Sequence, residues 1–373
     1  MKILVVQDHL RSGGTERQSV LLANAFAAAG QETTLLTFRP GGALASTVAL
    51  NVKRCSLQPF DFHLDWFAPG LVGFVRRARP EIVLCMGRMA NCHAYRIQHL
   101  REIVERLPQF EPVKTRVIAT MRTGKPLPSR FRLSLRRVDH VVANSADARD
   151  TLVYRYAVAA EKISVIRNSL VFPPESALWR NEPLRAQHAA KPTTRVMLNV
   201  AMFRPEKNQR ELIEIAAGLP LELDWQLWLA GDGPARPACE KLVVEKNLGA
   251  RVKFLGFHRD PTSLYCAADL AVHASWSEAL SNFLIEAQAH GLLAVAYEAQ
   301  GIRECFVPGR TGWAIAREDR RAFRDTLTRR MSEPAIAHAE RSADARKFTR
   351  DNFDPARQVG AYLELFHRLL ATQ

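Results

Sequence analysis

Residues Ala271–Gly291, AVHASWSEALSNFLIEAQAHG, decide the fold. Ala271-Val272 close an apolar run and read as a buried strand end. His273–Ser277 reads as a loop. Leu280, Phe283, Leu284 and Ala287 then recur at helical spacing. Glu278 and Glu286 are eight residues apart, about 80° beyond two full turns at ~100° per residue, so on one helix they share a broad face. Glu278 is expected at the helix start, where free backbone N–H groups and the positive helix end suit a phosphate. Glu286, further along, suits hydroxyl groups, whose hydrogen bonds it accepts. Phosphate at one end and hydroxyls along one side is the layout of a sugar-nucleotide site.

The flanking pattern is α/β. Met1–Val6 reads as a strand, Gln7–Thr15 as a loop with Gly13-Gly14, Glu16–Ala29 as a helix and Glu32–Phe38 as the next strand. Such β-loop-α-β order implies a parallel doubly wound sheet. Paired glycines before the helix let backbone approach an anion, and the absence of G-x-G-x-x-G counts against a dinucleotide enzyme. Further strands are expected at Pro80–Met86, Arg116–Thr120, Val138–Ala143 and Lys162–Arg167. Phe172–Thr194, with four prolines and no clean period, reads as a linker. A second α/β pattern follows, with strands at Arg195–Ala201, Trp225–Ala230, Val252–Leu255, Asp269–His273 and Leu293–Tyr297. Gly309–Trp313 reads as a turn and helices finish the chain.

The bulk numbers fit two domains with real cores: 373 residues, 47% apolar and 24% charged. No apolar run reaches the roughly 18 residues of a membrane span. The N-terminus is too soon interrupted for a signal peptide. Six cysteines without C-x-x-C read as reduced core thiols of a cytoplasmic protein. The net charge of +14 is concentrated in residues 96–137, where eleven basic residues face three acidic ones. That charge permits nucleic acid, an anionic membrane face or anionic small molecules; no nucleic-acid motif appears. Phe131, Leu133 and Leu135 within Pro126–Arg137 could insert into a membrane if exposed.

Ser-x-x-Glu-…-Leu-Ile-Glu-Ala, with Glu-x7-Glu inside it, resembles the signature of retaining glycosyltransferases of family 4. The motif order supports that resemblance over nearly the whole chain. Gly-Gly-x-Glu-Arg follows the first strand, Asn168-Ser169 ends the first half, Lys207 follows the next strand, and Gly231-Asp232-Gly233-Pro234 precedes Glu278 and Glu286. The resemblance implies the GT-B fold: two Rossmann-like domains facing across a cleft, with the C-terminal helix, about Pro355–Leu370, crossing back to the first. Residues 1–172 and the final helix (about 355–373) would take the acceptor, 173–194 would be the linker, and 195–354 would bind the nucleotide sugar.

The resemblance also implies roles. Lys207, Arg204 and Glu278 would be catalytic, the cations stabilising the leaving diphosphate. Gly13, Gly14, Arg122, Gly231, Phe257, Leu280, Ser281, Asn282 and Glu286 would bind the donor, Glu286 through the ribose. The family's usual arginine position falls at Met202, leaving Arg204 to replace it from a shifted place or the site to do without. Ala279 stands where a glycine is usual, tolerable unless φ must be positive. Gln300-Gly301 and Glu304 match a later Gly-Gly-x-x-Glu element with one Gly replaced. His9, His93, His140, His273 and His290 are candidate bases, none singled out.

No metal and no cofactor are expected, and no Asp-x-Asp pair stands at a strand end. The donor would be a nucleotide-diphosphate sugar, with UDP-sugar favoured over GDP-mannose. The acceptor would be a glycan or lipid-linked glycan of bacterial envelope polysaccharide or lipopolysaccharide synthesis. The location would be cytoplasmic, peripheral on the inner membrane face through 96–137. The alternatives are a GT-B sugar-nucleotide epimerase or phosphorylase, a nucleic-acid-binding protein or a non-catalytic scaffold.

Overall fold

The computed structural model describes residues 1–105, 115–174 and 178–372, the side chains of 100, 101 and 103–105 excepted. Arg106, Glu111 and Lys114 of the basic window, the side chains of Arg101 and Glu105, and linker positions 175–177 lie outside the described residues. The chain forms two compact units, Met1–Ser169 with Pro355–Gln373, and Leu170–Asp354. Both are Rossmann-like.

The first unit holds β1 (Lys2–Gln7), β2 (Glu32–Thr37), β3 (Lys53–Ser56), β4 (Ile82–Cys85), β5 (Arg116–Met121), β6 (His140–Ala143) and β7 (Ile163–Val165). They pair in parallel in the order β3-β2-β1-β4-β5-β6-β7. Strands such as KILVVQ are apolar at successive positions because helices cover both faces. Leu4 and Val6 enter one core, Ile3 and Val5 the other, as a pleat of period two requires. The final helix, Pro355–Ala371, seals the second of these cores, its buried Tyr362 and Phe366 packing on Phe26 at centroid distances of 5.9 and 5.6 Å.

The second unit holds β8 (Arg195–Val200), β9 (Trp225–Ala230), β10 (Val252–Gly256), β11 (Leu270–His273), β12 (Leu293–Tyr297) and β13 (Gly312–Ile315), all parallel, in the order β10-β9-β8-β11-β12-β13. Two of the thirteen strands among the described residues escape sequence reading. β3, KRCS, is an exposed edge strand without apolar alternation. β13 is hidden behind the turn expected at Gly309–Trp313, whose second half is strand; Gly312 is required there because a Cβ would meet the Phe306 ring at 2.2 Å.

Part of the expected linker folds with the second unit. Glu182–Gln187 is a helix whose Arg185 is fully buried. Its guanidinium donates to the carbonyls of Ala267 (2.7 Å), Lys191 (3.0 Å) and Thr194 (2.5 Å) and to Asp269 Oδ2 (3.1 Å).

The basic segment Pro126–Arg137 contains the helix Ser129–Arg137. Phe131 and Leu135 are 1% and 0% exposed, so neither is available to a membrane; only Leu133, at 41%, projects outward. Among the described residues no helix is long and apolar enough to cross a membrane. Because Arg185→Met would leave the buried Ala267 and Thr194 carbonyls without its guanidinium and take from buried Asp269 the nearest of its three arginines (3.1 Å, against 3.4 Å for Arg180 and 3.8 Å for Arg195), it should cost about 3 kcal/mol, read as a lower urea midpoint of the second unit.

Candidate active site

Two loops of the second unit build the site. The first leaves β8. Gly231 and Gly233, at φ +131° and +147°, press against it: a Cβ on them would stand 2.0 Å from the Ala201 oxygen and 2.5 Å from the Phe203 oxygen. The Phe203 N–H donates to the Asp232 carbonyl at 2.9 Å and the Ala235 N–H to the Phe203 carbonyl at 3.0 Å. Gly-Asp-Gly-Pro is thus a backbone cradle for residues 201–203. The loop then makes one 3-10 turn, Pro205–Lys207, ended by Asn208 at φ +53°.

The second loop leaves β11 and is stitched to the first. The Trp276 N–H and the Ser275 hydroxyl both donate to the Glu206 carbonyl, at 3.1 and 3.0 Å. This brings Lys207 Nζ to 2.5 Å from Glu278 Oε1. The same oxygen lies 2.9 Å from His273 Nε2. Against a carboxylate, Nε2 is the protonated nitrogen, and Asn199 Nδ2 stands 3.5 Å from the opposite Nδ1 while donating to the Val272 carbonyl at 2.8 Å. Burial alone would raise the Glu278 pKa. The Lys207 charge and the His273 hydrogen bond overcome it and hold the carboxyl at about 2. Glu278 is therefore ionised at neutral pH and compensates Lys207. Arg204 is exposed and forms no ion pair among the described residues.

The expected helix start is displaced. The helix runs Asn282–Ala289, capped by the Ser281 hydroxyl, which accepts from the Leu284 N–H at 3.4 Å. Glu278 lies in the loop before it, so the shared-face argument fails; Glu278 reaches Lys207 whereas Glu286 Oε2 accepts from the buried Tyr265 hydroxyl at 2.7 Å. Leu280 is buried in the loop, beside Ser281 and Asn282 at the true helix head. Gly301, at φ +72°, permits that loop's close approach: its Cβ would sit 2.0 Å from the Ala279 oxygen. Ala279 itself needs no positive φ. Phe257 is 58% exposed, so it is not core.

In the first unit, Gly13 precedes the helix Gly14–Ala28 at φ −74°, and a Cβ there would collide with the Glu16 carboxylate. Arg122 is tied to Asn168 Oδ1 and, at 2.9 Å, to the Tyr362 hydroxyl, so it anchors the final helix. His9, His93, His140 and His290 are engaged with the Pro40 and Trp66 carbonyls, the Ser164 hydroxyl and the Glu286 carbonyl. Burial lowers the pKa of all four. Only His273 joins the Lys207–Glu278 pair.

Sequence reasoning missed Asp8. It follows β1, next to β4, where the strand order reverses and ligands of such sheets gather. Its carboxylate accepts from the Met89 and Ala90 N–H groups at 2.9 and 2.7 Å. Burial nevertheless raises its pKa to about 7. Nothing in the local spacing marks it, since Gly87, whose Cβ would stand 2.2 Å from Asp8 Oδ1, is distant in sequence.

Residues 12–170 match the family model described as Glycosyltransferase Family 4, and residues 180–350 the model described as Glycosyl transferases group 1. The chain belongs to glycosyltransferase family 4. Two relatives from Rhizobium meliloti (strain 1021) span most of it. The lipopolysaccharide core biosynthesis glycosyltransferase LpsD is 26% identical over 380 residues, 96% of each chain. LpsE, of the same description, is 22% identical over 334 residues, 87% of this chain and 88% of that one. The structure of HepE from Anabaena in complex with UDP-glucose superposes with a TM-score of 0.80 at 20% identity, covering 99% of this chain and 100% of that one. The fold is thus GT-B, and the protein is a glycosyltransferase.

A carboxyl depressed by folding stabilises the protein above its unfolded pKa and loses that contribution as pH falls toward the folded value. Stability should therefore decline between about pH 5 and pH 2 partly through Glu278, and urea titrations of Glu278→Gln should show a flatter acid limb.

Proposed function

We propose that this glycosyltransferase moves a sugar from a nucleoside-diphosphate donor, with UDP-sugars favoured, to a glycan or lipid-linked acceptor, with retention of anomeric configuration. The observation that carries the proposal is the Lys207–Glu278–His273 cluster at the carboxyl ends of β8 and β11, close in sequence to the capped helix head at Ser281-Asn282. UDP-glucose in the HepE complex and the lipopolysaccharide role of LpsD and LpsE support the donor and acceptor classes.

In this mechanism the second unit binds the donor. Its diphosphate meets the N–H groups at the helix head, the exposed Arg204 and Lys207, which turns part of its charge from Glu278 to the phosphate. Preorganised cations stabilise the negative charge that grows as the glycosidic bond breaks, the role a metal fills elsewhere. Glu278 accepts hydroxyls of the transferred sugar. Glu286, held by Tyr265, accepts the ribose hydroxyls, and exposed Phe257 lies beside the base. The acceptor hydroxyl attacks from the front face, and the leaving phosphate takes its proton. The first unit takes the acceptor. Its helix Ser129–Arg137 offers Arg130, Arg132, Arg136 and Arg137, all exposed, to an anionic surface.

A thermal-shift panel of nucleotides and sugar nucleotides in EDTA tests the donor. UDP species should raise the melting point selectively; silence from every sugar nucleotide would refute the proposal. Lys207→Ala should lower kcat by about 100-fold or more. Glu286→Ala should weaken donor binding about tenfold, a loss of one charged hydrogen bond. NMR of the first-formed product should show the donor's anomeric configuration.

A further inference from the structure

A second basic feature lies wholly within the first unit. Arg132, Arg136, Arg155 and Tyr156, with Pro126 and Leu127, line a cavity of about 320 Å³, within the range of small-ligand pockets. Arg132 and Arg136 are one helical turn apart on Ser129–Arg137, and Arg155 joins them from a separate element, the π-helical segment Thr151–Arg155. Among the described residues no acidic side chain lines the cavity. None of the three guanidinium groups forms an ion pair among the described residues. Arg88 donates to the carbonyl of Pro126, one of the lining residues, at 2.9 Å.

Like charges at i and i+4 repel, and a third from another element adds to the cost. Three arginines without an ion pair among the described residues, converging on a concavity, concentrate positive potential. The guanidinium fork matches phosphate oxygens two at a time. Tyr156, nearly buried and 5.7 Å beneath the Arg155 guanidinium, gives the pocket a fixed floor.

We infer that this pocket binds a dianionic phosphate group, a phosphomonoester or a diphosphate, apart from the donor site. Two sources share that chemistry, a soluble phosphorylated molecule and the headgroup of a lipid such as phosphatidic acid. The inference does not depend on the donor assignment, whose residues all lie in other loops.

The full-length protein is titrated with inorganic phosphate and pyrophosphate at constant ionic strength. In parallel it is sedimented with vesicles of phosphatidylcholine containing either phosphatidic acid or phosphatidylglycerol at matched charge. Arg132→Gln/Arg155→Gln should weaken binding by about tenfold or more, Arg136→Lys should weaken it while keeping the charge, and Arg137→Gln, on the same helix outside the pocket, should leave phosphate and pyrophosphate binding intact. UDP should shift the melting point of every variant as it does the wild type, which shows the variants folded and separates this pocket from the donor site.

Binding of pyrophosphate or phosphate, lost in the pocket variants, assigns a soluble ligand. Sedimentation with phosphatidic acid alone, lost in the same variants, assigns a lipid. Equal binding by wild type and pocket variants, equal sedimentation with phosphatidylglycerol, or no binding to either source would overturn the inference.

Discussion

The second unit's site depends on one partly buried ion pair. Placing a carboxylate where only a tenth of its side chain meets solvent costs several kcal/mol, and Glu278 sits at 10%. Lys207 at 2.5 Å and His273 at 2.9 Å offset that cost. Removing either partner leaves a charge or a buried ring without its complement. The loops after β8 and β11 are consequently held as one piece, before any substrate arrives. The pair is also electrically neutral, so Lys207 and Glu278 organise the two loops without adding net charge.

Much of this was legible in the sequence, for a physical reason. Strands buried on both faces are written as apolar runs, and eleven of thirteen could be read that way. β3 failed because an edge strand needs no apolar face, and β13 because its turn glycines masked the four residues behind them. Periodicity starts the helix at Asn282 too early: Leu280 keeps helical spacing, but the Ser281 hydroxyl caps the helix by accepting from the Leu284 N–H, and the residues before it stay in the loop. The partner of Glu278 could not be read from spacing, since Lys207 lies 71 residues away. Motif order found both residues without saying that they touch.

Periodicity was least informative where an amphipathic segment had two possible destinations. Ser129–Arg137 shows which residues share a face, yet nothing local says that Phe131 and Leu135 serve the core. Arg122 has a partner that spacing could not show. A basic residue at a strand end suits a ligand, but the final helix, returning from the far end of the chain, claims it through Tyr362. Gly231 shows the opposite case: its role as cradle for the Lys207-bearing loop follows from a backbone approach that only a glycine allows. Asp8 adds a carboxyl that changes charge near neutrality at the first sheet's switch point.

The most direct test of the ion pair's role is a double-mutant cycle on Lys207→Met and Glu278→Gln, read both in unfolding free energy and in UDP affinity. The account predicts strong non-additivity in both, a coupling of about 1 kcal/mol or more, because each residue alone leaves the other stranded. Additivity within about 0.5 kcal/mol in both readouts would mean that the pair neither supports the fold nor shapes the site, and would contradict the account.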